Sequence, residues 1–189
     1  MKTRVYRCVG IFPILLHNGQ TADPLNKFSK QLKVISSKRK KTDEDHHEMA
    51  RIEWHAGLYV NADGRLILPS DFLEATIING AKKKKNGTKF RSAVFVTEDC
   101  ELVIPKKYKT AEELWNYEEF RDSRGVRVGQ AKVIRTRPIF REWSVDVPVT
   151  YDPNQVNEAE IDSAMEDAGS MVGFGDFRPK YGRFDVTVL

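Results

Sequence analysis

The residues whose types and spacing are best suited to chemistry lie near the carboxyl end of the chain, in residues 173–183. Glycines there let the backbone turn sharply or approach a ligand closely. The cations among them suit phosphate binding, and the aromatic side chains suit stacking on bases. We therefore predict a loop that binds single-stranded nucleic acid, with a structural turn without ligand contacts as the alternative. The candidate contacts are Gly173, Gly175, Phe177, Arg178, Lys180, Tyr181 and Arg183.

Further cations are clustered elsewhere in the chain, and a polyanionic partner would explain why like charges stand side by side. The usual alternative for such a run is a solvated surface. Residues 124–129 alternate glycine and arginine in a manner typical of a loop that faces nucleic acid. The candidate contacts outside the terminal segment are Lys38, Arg39, Lys40, Lys41, Lys82, Lys83, Lys84, Lys85, Arg135 and Arg137.

Composition sets the bounds within which these residues act. The 189 residues carry a net charge of +4, which favours polyanionic partners. No stretch approaches the roughly 18 apolar residues of a membrane span, and the two cysteines, Cys8 and Cys100, are too far apart in sequence for a metal-binding pair. We expect a cytoplasmic protein with reduced thiols and without a membrane partner.

The elements that must position the terminal segment are a helix before it and a strand after it. Asn157 is placed to cap the helix, with Glu160 three residues later completing a capping box. The apolar stripe of this helix has helical period, and the helix is predicted to end near Gly169 or Gly173. The stripe consists of Ile161, Ala164, Met165, Ala168 and Val172. Phe184, Val186 and Val188 then alternate with polar residues, which predicts a strand with one buried face.

The rest of the chain supplies the other core elements. Residues 5–11 predict a first strand, and a helix follows, with Asp23 at its cap and Pro24 at its first helical position. Residues 57–68 predict a hairpin, which leads into a helix capped by Ser70 or Asp71. Strands are expected at residues 91–96 and 101–104, and a long strand or hairpin at 130–151. Without insertions this order is βαββαβ, an α+β fold of ferredoxin-like, RRM-like type with an antiparallel sheet.

Two segments resemble the RAMP superfamily, the repeat-associated RNA-binding proteins of CRISPR systems. Residues 168–188, AGSMVGFGDFRPKYGRFDVTV, are similar to its C-terminal glycine-rich signature. Residues 66–75, LILPSDFLEA, are similar to its strand-Pro-Ser-helix entry, although Asp71 and Glu74 replace the usual Ser and the usual Gly or Lys. The resemblance implies the same ferredoxin-like fold, as a single domain over residues 1–189 with helical and hairpin insertions at about 17–56 and 105–128.

The resemblance also implies a function. A solitary Cas7-like protein, of phage or mobile-element type, would bind single-stranded RNA or DNA without catalysis, in the cytoplasm of a bacterial or phage-infected host cell. It would assemble head to tail along the strand or associate with CRISPR-type proteins. We expect no cofactor and no metal, because the acidic and histidine residues around His46 and His47 match no known ligand spacing.

Two alternatives remain open at this point. In a Cas6-like, metal-independent endoribonuclease, His17 would be the catalytic base that activates a ribose 2′-hydroxyl, with a cation nearby. In a protein-binding assembly or anti-defence module, the same fold would serve contacts between proteins only.

Overall fold

A computed structural model describes residues 1–189, except for the side chain of residue 128. The chain is a mixed α+β structure with antiparallel sheets, as predicted. Its elements in chain order are β1 (Lys2–Gly10), β2 (Ile14–Leu15), α1 (Lys27–Ser36), α2 (Asp43–Gly57), β3 (Ile67–Leu68), α3 (Ser70–Ala81), α4 (Gly87–Ala93), β4 (Val94–Phe95), β5 (Cys100–Glu101), β6 (Arg121–Val128), β7 (Ala131–Phe140), β8 (Ser144–Tyr151), α5 (Glu158–Asp167) and β9 (Phe184–Val188).

A four-stranded antiparallel sheet in the order β4-β8-β1-β9 lies at the centre of the fold. The central strand β1 places Cys8 opposite Val145 of β8 and Val186 of β9. Alternate residues of β8, from Val145 to Tyr151, are buried. This period of two means that one face of the sheet packs against the core.

Helices α3 and α5 contribute their apolar stripes to the same core as the sheet. The cap of α5 is confirmed, since Asn157 and Glu160 form both hydrogen bonds of a capping box. The two helices lie so close that a Cβ atom at Gly80 would sit 2.2 Å from the carbonyl oxygen of Ala164. Glycine is therefore required where α3 crosses α5. A π-helical turn over Ala168–Val172 extends α5 to Gly173, which ends it with a φ of 79°.

A second, three-stranded sheet in the order β2-β7-β6 packs against α2. Strands β6 and β7 form a long hairpin that turns at Gly129 and Gln130. Thr136 and Pro138 of β7 are buried, whereas Arg135 and Arg137 on the opposite face are partly exposed. The buried Trp54 of α2 donates from Nε1 to the carbonyl of Phe120 at 2.7 Å, which joins α2 to the start of β6.

Several predicted strands are wrong in extent. Residues 57–68 form a shorter hairpin than predicted, with a bridge between Val60 and Leu66 and a hydrogen bond from the N–H of Ile67 to the carbonyl of Tyr59 at 3.0 Å. Its second strand, β3, also pairs with β5. Residues 91–93 belong to α4 and residues 94–95 form β4, while residues 130–151 contain two strands in different sheets. Residues 124–129, predicted as a loop, are mainly strand β6 paired along β7. Local sequence cannot show these pairings, because partner strands from distant parts of the chain decide them.

Two predicted helix caps are also wrong. Helix α1 begins at Lys27 with Asn26 as its cap, because the carboxylate of Asp23 instead accepts from the backbone N–H of Leu25. At α3 the backbone N–H of Ser70 donates to Asp99 at 2.8 Å, so a side chain from another segment serves this helix start. At α1 the neighbouring Asn26 accepts from the N–H of Phe28, whereas at α3 the acceptor Asp99 lies in a distant segment that the local pattern does not show.

The helices and the two cysteines concern the expectations drawn from composition. Among the described residues, no helix is both long enough and apolar enough to cross a membrane. Cys8 and Cys100 are buried free cysteines. Burial raises the pKa of both thiols, that of Cys100 to about 11, so neither is a reactive thiolate near neutral pH.

Candidate nucleic-acid interface

The terminal loop, residues 173–183, is held tightly against the chain's own backbone. Gly173, Gly175 and Gly182 all have positive φ, which favours glycine. A Cβ atom at Gly182 would lie 1.7 Å from the carbonyl oxygen of Phe174, and one at Gly175 would lie 2.4 Å from that of Leu15. The glycine spacing is thus explained by close approach within the protein.

Backbone hydrogen bonds fix the loop in this position. The N–H of Asp176 donates to the carbonyl of Leu15 at 2.7 Å, and the N–H of Gly182 donates to Pro13 at 2.8 Å. Gly173 and Gly175 therefore shape the loop, while any contact with a ligand must come mainly from its side chains. Their assignment as direct contacts stays a prediction.

The aromatic residues of the loop and of the start of β9 differ in burial. Phe174 stacks on Phe184 with ring centroids 4.3 Å apart, and both rings are buried. Phe177 is 46% exposed, and its ring meets Tyr181 edge to face at 6.4 Å. Phe174 and Phe184 are core residues, as the periodicity predicted, and Phe177 is the aromatic ring that faces outward.

Two arginines of the β6–β7 hairpin contact Phe177 and Tyr181. The guanidinium of Arg124 lies 5.0 Å from the Tyr181 ring and donates to its hydroxyl at 2.8 Å. The hydrogen bonds that Arg124 donates to Asp122 and Tyr181 raise the pKa of Arg124. Arg137 lies 5.7 Å from Phe177. Sequence reasoning missed Arg124, which was read as part of a loop, because only the tertiary structure brings β6 beside the terminal segment.

An open groove of about 880 Å³, here called the loop groove, brings two of the predicted cation groups together. One wall is the end of α3 and the following turn, with Lys82 and Lys83, and the other is the terminal loop, with Phe177 and Arg178. These segments are nearly one hundred positions apart in the sequence. The complete lining is Asn79, Lys82, Lys83, Met171, Val172, Gly175, Asp176, Phe177, Arg178 and Pro179.

The cations of the loop groove are available for a ligand. Lys82 donates to the side-chain oxygen of Asn79 at 2.9 Å, and Arg178 lies 5.9 Å from the Phe72 ring. In the part of the chain that the structure describes, no carboxylate lies within 4.0 Å of the charged nitrogens of Lys82, Lys83 or Arg178. The groove therefore presents positive charge beside an exposed aromatic ring.

A second groove of about 710 Å³, here called the hairpin groove, runs between the β6–β7 hairpin and helices α1 and α2. Its charged and imidazole side chains are those of His17, Lys33, Glu53, Arg127, Arg135 and Arg137, and apolar, hydroxyl and amide side chains complete the lining. Arg135 is paired with Glu53, whose carboxylate also accepts from the backbone N–H of Thr136 at 3.1 Å. The structure thus places His17 and the two predicted arginines in one groove.

Arg137 of the hairpin groove contacts two residues of the loop groove. Arg137 lines the hairpin groove, whereas Phe177 lines the loop groove, and the Arg137 guanidinium lies 5.7 Å from the Phe177 ring. The Nε of Arg137 also lies 3.4 Å from the carboxylate of Asp176, which lines the loop groove.

The remaining predicted contacts lie outside both grooves. The cluster at Lys38, Arg39, Lys40 and Lys41 connects α1 to α2, and Lys38 pairs with Asp45 at 2.5 Å. Lys84 lies 3.5 Å from Asp167, Lys85 ends the turn in the left-handed conformation, and Lys180 is exposed. Arg183 lies 4.1 Å from the Phe12 ring, with its Nε buried. The binding role of these residues stays a prediction.

The acidic and histidine residues at the start of α2 serve the helix terminus. Thr42 and Asp45 form a capping box there, and acidic residues in the first turn favour the positive end of the helix dipole. Within the described residues, no group of three or more His, Cys, Asp or Glu side chains is arranged to hold a metal ion.

Comparison with known proteins gives no family assignment for this chain. No protein-family model matches the sequence, and no curated protein matches it. Membership of the RAMP superfamily therefore stays a prediction, and a functional argument has to rest on the charges and contacts of the loop groove and the hairpin groove.

Proposed function

We propose that this protein binds single-stranded nucleic acid without cleaving it and is of RAMP, Cas7-like type. One observation carries the proposal: the loop groove brings Lys82, Lys83 and Arg178 together beside the exposed ring of Phe177. Cations that follow a phosphate backbone, combined with an aromatic ring on which a base stacks, form the usual sequence-tolerant site for a single strand.

The arrangement of the central sheet supports the ferredoxin-like part of this proposal. With the insertions removed, the elements follow as β1, α3, β4, β8, α5 and β9, and the sheet order is β4-β8-β1-β9. This is the strand order in which a βαββαβ chain forms an antiparallel sheet with both helices in one layer. Fold alone does not define a function, so the binding argument depends on the groove.

The groove geometry favours an extended polymer as the ligand. Phosphates along a strand would lie against the cations of the loop groove, while one base stacks on Phe177. The contact between Phe177 and Arg137 then leads into the hairpin groove, where Lys33 and Arg127 add positive charge. A continuous path suits a single strand better than a small isolated anion.

Replacement of Arg178 by alanine tests this proposal. We expect Arg178→Ala to weaken the binding of a fluorescently labelled oligonucleotide of about 16 nucleotides, the upper end of the site size of one binding fold. Arg91→Ala is the matched control, because Arg91 is an exposed arginine of α4 outside both grooves. Equal affinity of both variants and the wild type, measured by fluorescence anisotropy, would show that the loop groove does not bind the strand.

A ribonuclease is the second candidate, because His17 lies in the same groove as Lys33, Arg135 and Arg137. An imidazole base and a nearby cation are the groups that activate a 2′-hydroxyl and stabilise the charge that develops on the phosphate. The test is incubation of wild type and His17→Ala with structured RNA in the presence of a chelator. Cleavage by the wild type that is lost in His17→Ala would replace the binding proposal with the nuclease.

A further inference from the structure

The contact between Arg137 and Asp176 lies where the two grooves meet, and it is an incomplete ion pair. The Arg137 side chain is only 12% exposed, and its Nε lies 3.4 Å from the Asp176 carboxylate. Among the described residues, neither Nε nor Nη1 of Arg137 has a hydrogen-bond partner, although both atoms are buried. The guanidinium is therefore charged, largely desolvated and poorly satisfied.

A desolvated guanidinium with unsatisfied donors binds an anion that accepts hydrogen bonds from it better than Asp176 does. It presents its donors in a planar fork that matches the two oxygens of a phosphate or carboxylate. Asp176 offers charge to this fork, but its position is fixed by the backbone hydrogen bond from its N–H to Leu15 at 2.7 Å. Buried donors that stay unsatisfied cost free energy, so a mobile anion that reaches the fork would be bound favourably.

We propose that Asp176 competes with the nucleic-acid strand for Arg137. The carboxylate of Asp176 pairs with the Arg137 guanidinium until a phosphate of the strand displaces it. This inference rests on the proposed function and deepens it. Asp176 lines the loop groove and Arg137 lines the hairpin groove, so the exchange takes place where a strand passes from one to the other. The carboxylate, one-third exposed, is free to turn toward solvent when the phosphate binds.

The competition has a counterintuitive consequence, because removing this ion pair strengthens binding. Asp176→Asn keeps the backbone hydrogen bond and nearly the same side-chain shape but loses the negative charge. The phosphate then meets Arg137 without a rival and enters a groove with one negative charge fewer. A gain of about 1.4 kcal/mol corresponds to a tenfold change in affinity, and we expect Asp176→Asn to bind about three- to tenfold more tightly.

The experiment compares wild type, Asp176→Asn and Asp146→Asn by fluorescence anisotropy with single-stranded RNA and DNA of about 16 nucleotides. Asp146 is the matched control, since it pairs with Arg7 at 2.7 Å outside both grooves. A third variant combines Asp176→Asn with Arg137→Met. The tighter binding should be absent from Asp146→Asn, and it should disappear when Arg137 is also replaced.

The outcomes separate this inference from the proposed function. If wild type binds and Asp176→Asn binds no more tightly, the competition is refuted and nucleic-acid binding stands. If the gain persists with Arg137→Met, it comes from the general charge of the groove, and the exchange at Arg137 is refuted. If neither wild type nor Asp176→Asn binds either oligonucleotide, both proposals fail. Because Asp176→Asn alone can refute the competition, a double variant that does not fold leaves the test intact.

Discussion

Phe177 is the side chain whose removal best separates stacking from charge. Its ring is 46% exposed and lines the loop groove. Stacking of a base on such a ring contributes on the order of 1–3 kcal/mol, so Phe177→Ala should weaken binding by about 5- to 150-fold with little change in Tm. Tyr117→Ala is the control, because Tyr117 is 39% exposed and lies outside both grooves. If Phe177→Ala binds with wild-type affinity, no base stacks on the Phe177 ring.

His55 makes stability depend on pH near neutrality. Its ring lies between Trp54 and Trp115, and burial is the main cause that lowers its pKa from 6.5. Arg51 lowers this pKa further, whereas Glu112 and Glu48 oppose the shift. The unfolded chain therefore binds a proton at higher pH than the folded chain does. The free energy of unfolding should fall as the pH falls through about 6.5.

This prediction is tested by urea unfolding of wild type and His55→Phe at about pH 7.5 and about pH 5.5. The phenylalanine keeps the aromatic contacts but cannot be protonated, so its stability should change less between the two conditions. Hydrogen bonds from Arg51 and Lys89 lower the pKa values of the Glu48 and Glu160 carboxyls. Carboxylates of this kind lose their contribution to the free energy of unfolding only under more acidic conditions. An equal loss in both proteins would place the pH dependence elsewhere.

At the scale of elements, the terminal loop depends on glycines that allow it to pack on residues 13–15. A Cβ atom at Gly182 would meet the backbone of Phe174, and its φ of 74° disfavours other residues. We expect Gly182→Ala to lower both Tm and nucleic-acid affinity, because the loop must move to relieve the clash. Among the described residues, no atom lies within 4 Å of a Cβ atom added at Gly19. Gly19→Ala should therefore leave both quantities unchanged, as thermal melting and anisotropy can show.

Elements were predictable where one local pattern decided the structure. Helix α5 combined a capping box, an apolar stripe and a terminal glycine, and all three were found. Strand β9 was found as well, although Val188 is 40% exposed at the edge of the sheet. The short strands β3, β4 and β5 were not predicted in their observed extent. Each has only two residues, and distant partners rather than its own sequence determine its pairing.

At the scale of the whole molecule, the site was predictable in its residue types but not in its assembly. Lys82, Lys83, Phe177 and Arg178 were candidates from sequence, yet only the fold brings the turn after α3 to the terminal loop. The hairpin arginine Arg124 was missed for the same reason. Spacing along the chain carries no information on contacts between segments so far apart, because packing of the intervening elements creates them.

The salt dependence of binding tests most directly whether the loop groove holds the phosphate backbone of a single strand. Each phosphate that a cation neutralises on a single strand contributes about 0.7 to the slope of log affinity against log salt concentration. We predict that the wild type binds a single strand and that its log affinity falls steeply with log salt concentration. The combined variant Lys82→Ala, Lys83→Ala and Arg178→Ala should then lose about 2 from the magnitude of this slope. A wild type that does not bind, or a slope that is the same in the variant, would contradict the claim that the loop groove holds the phosphate backbone.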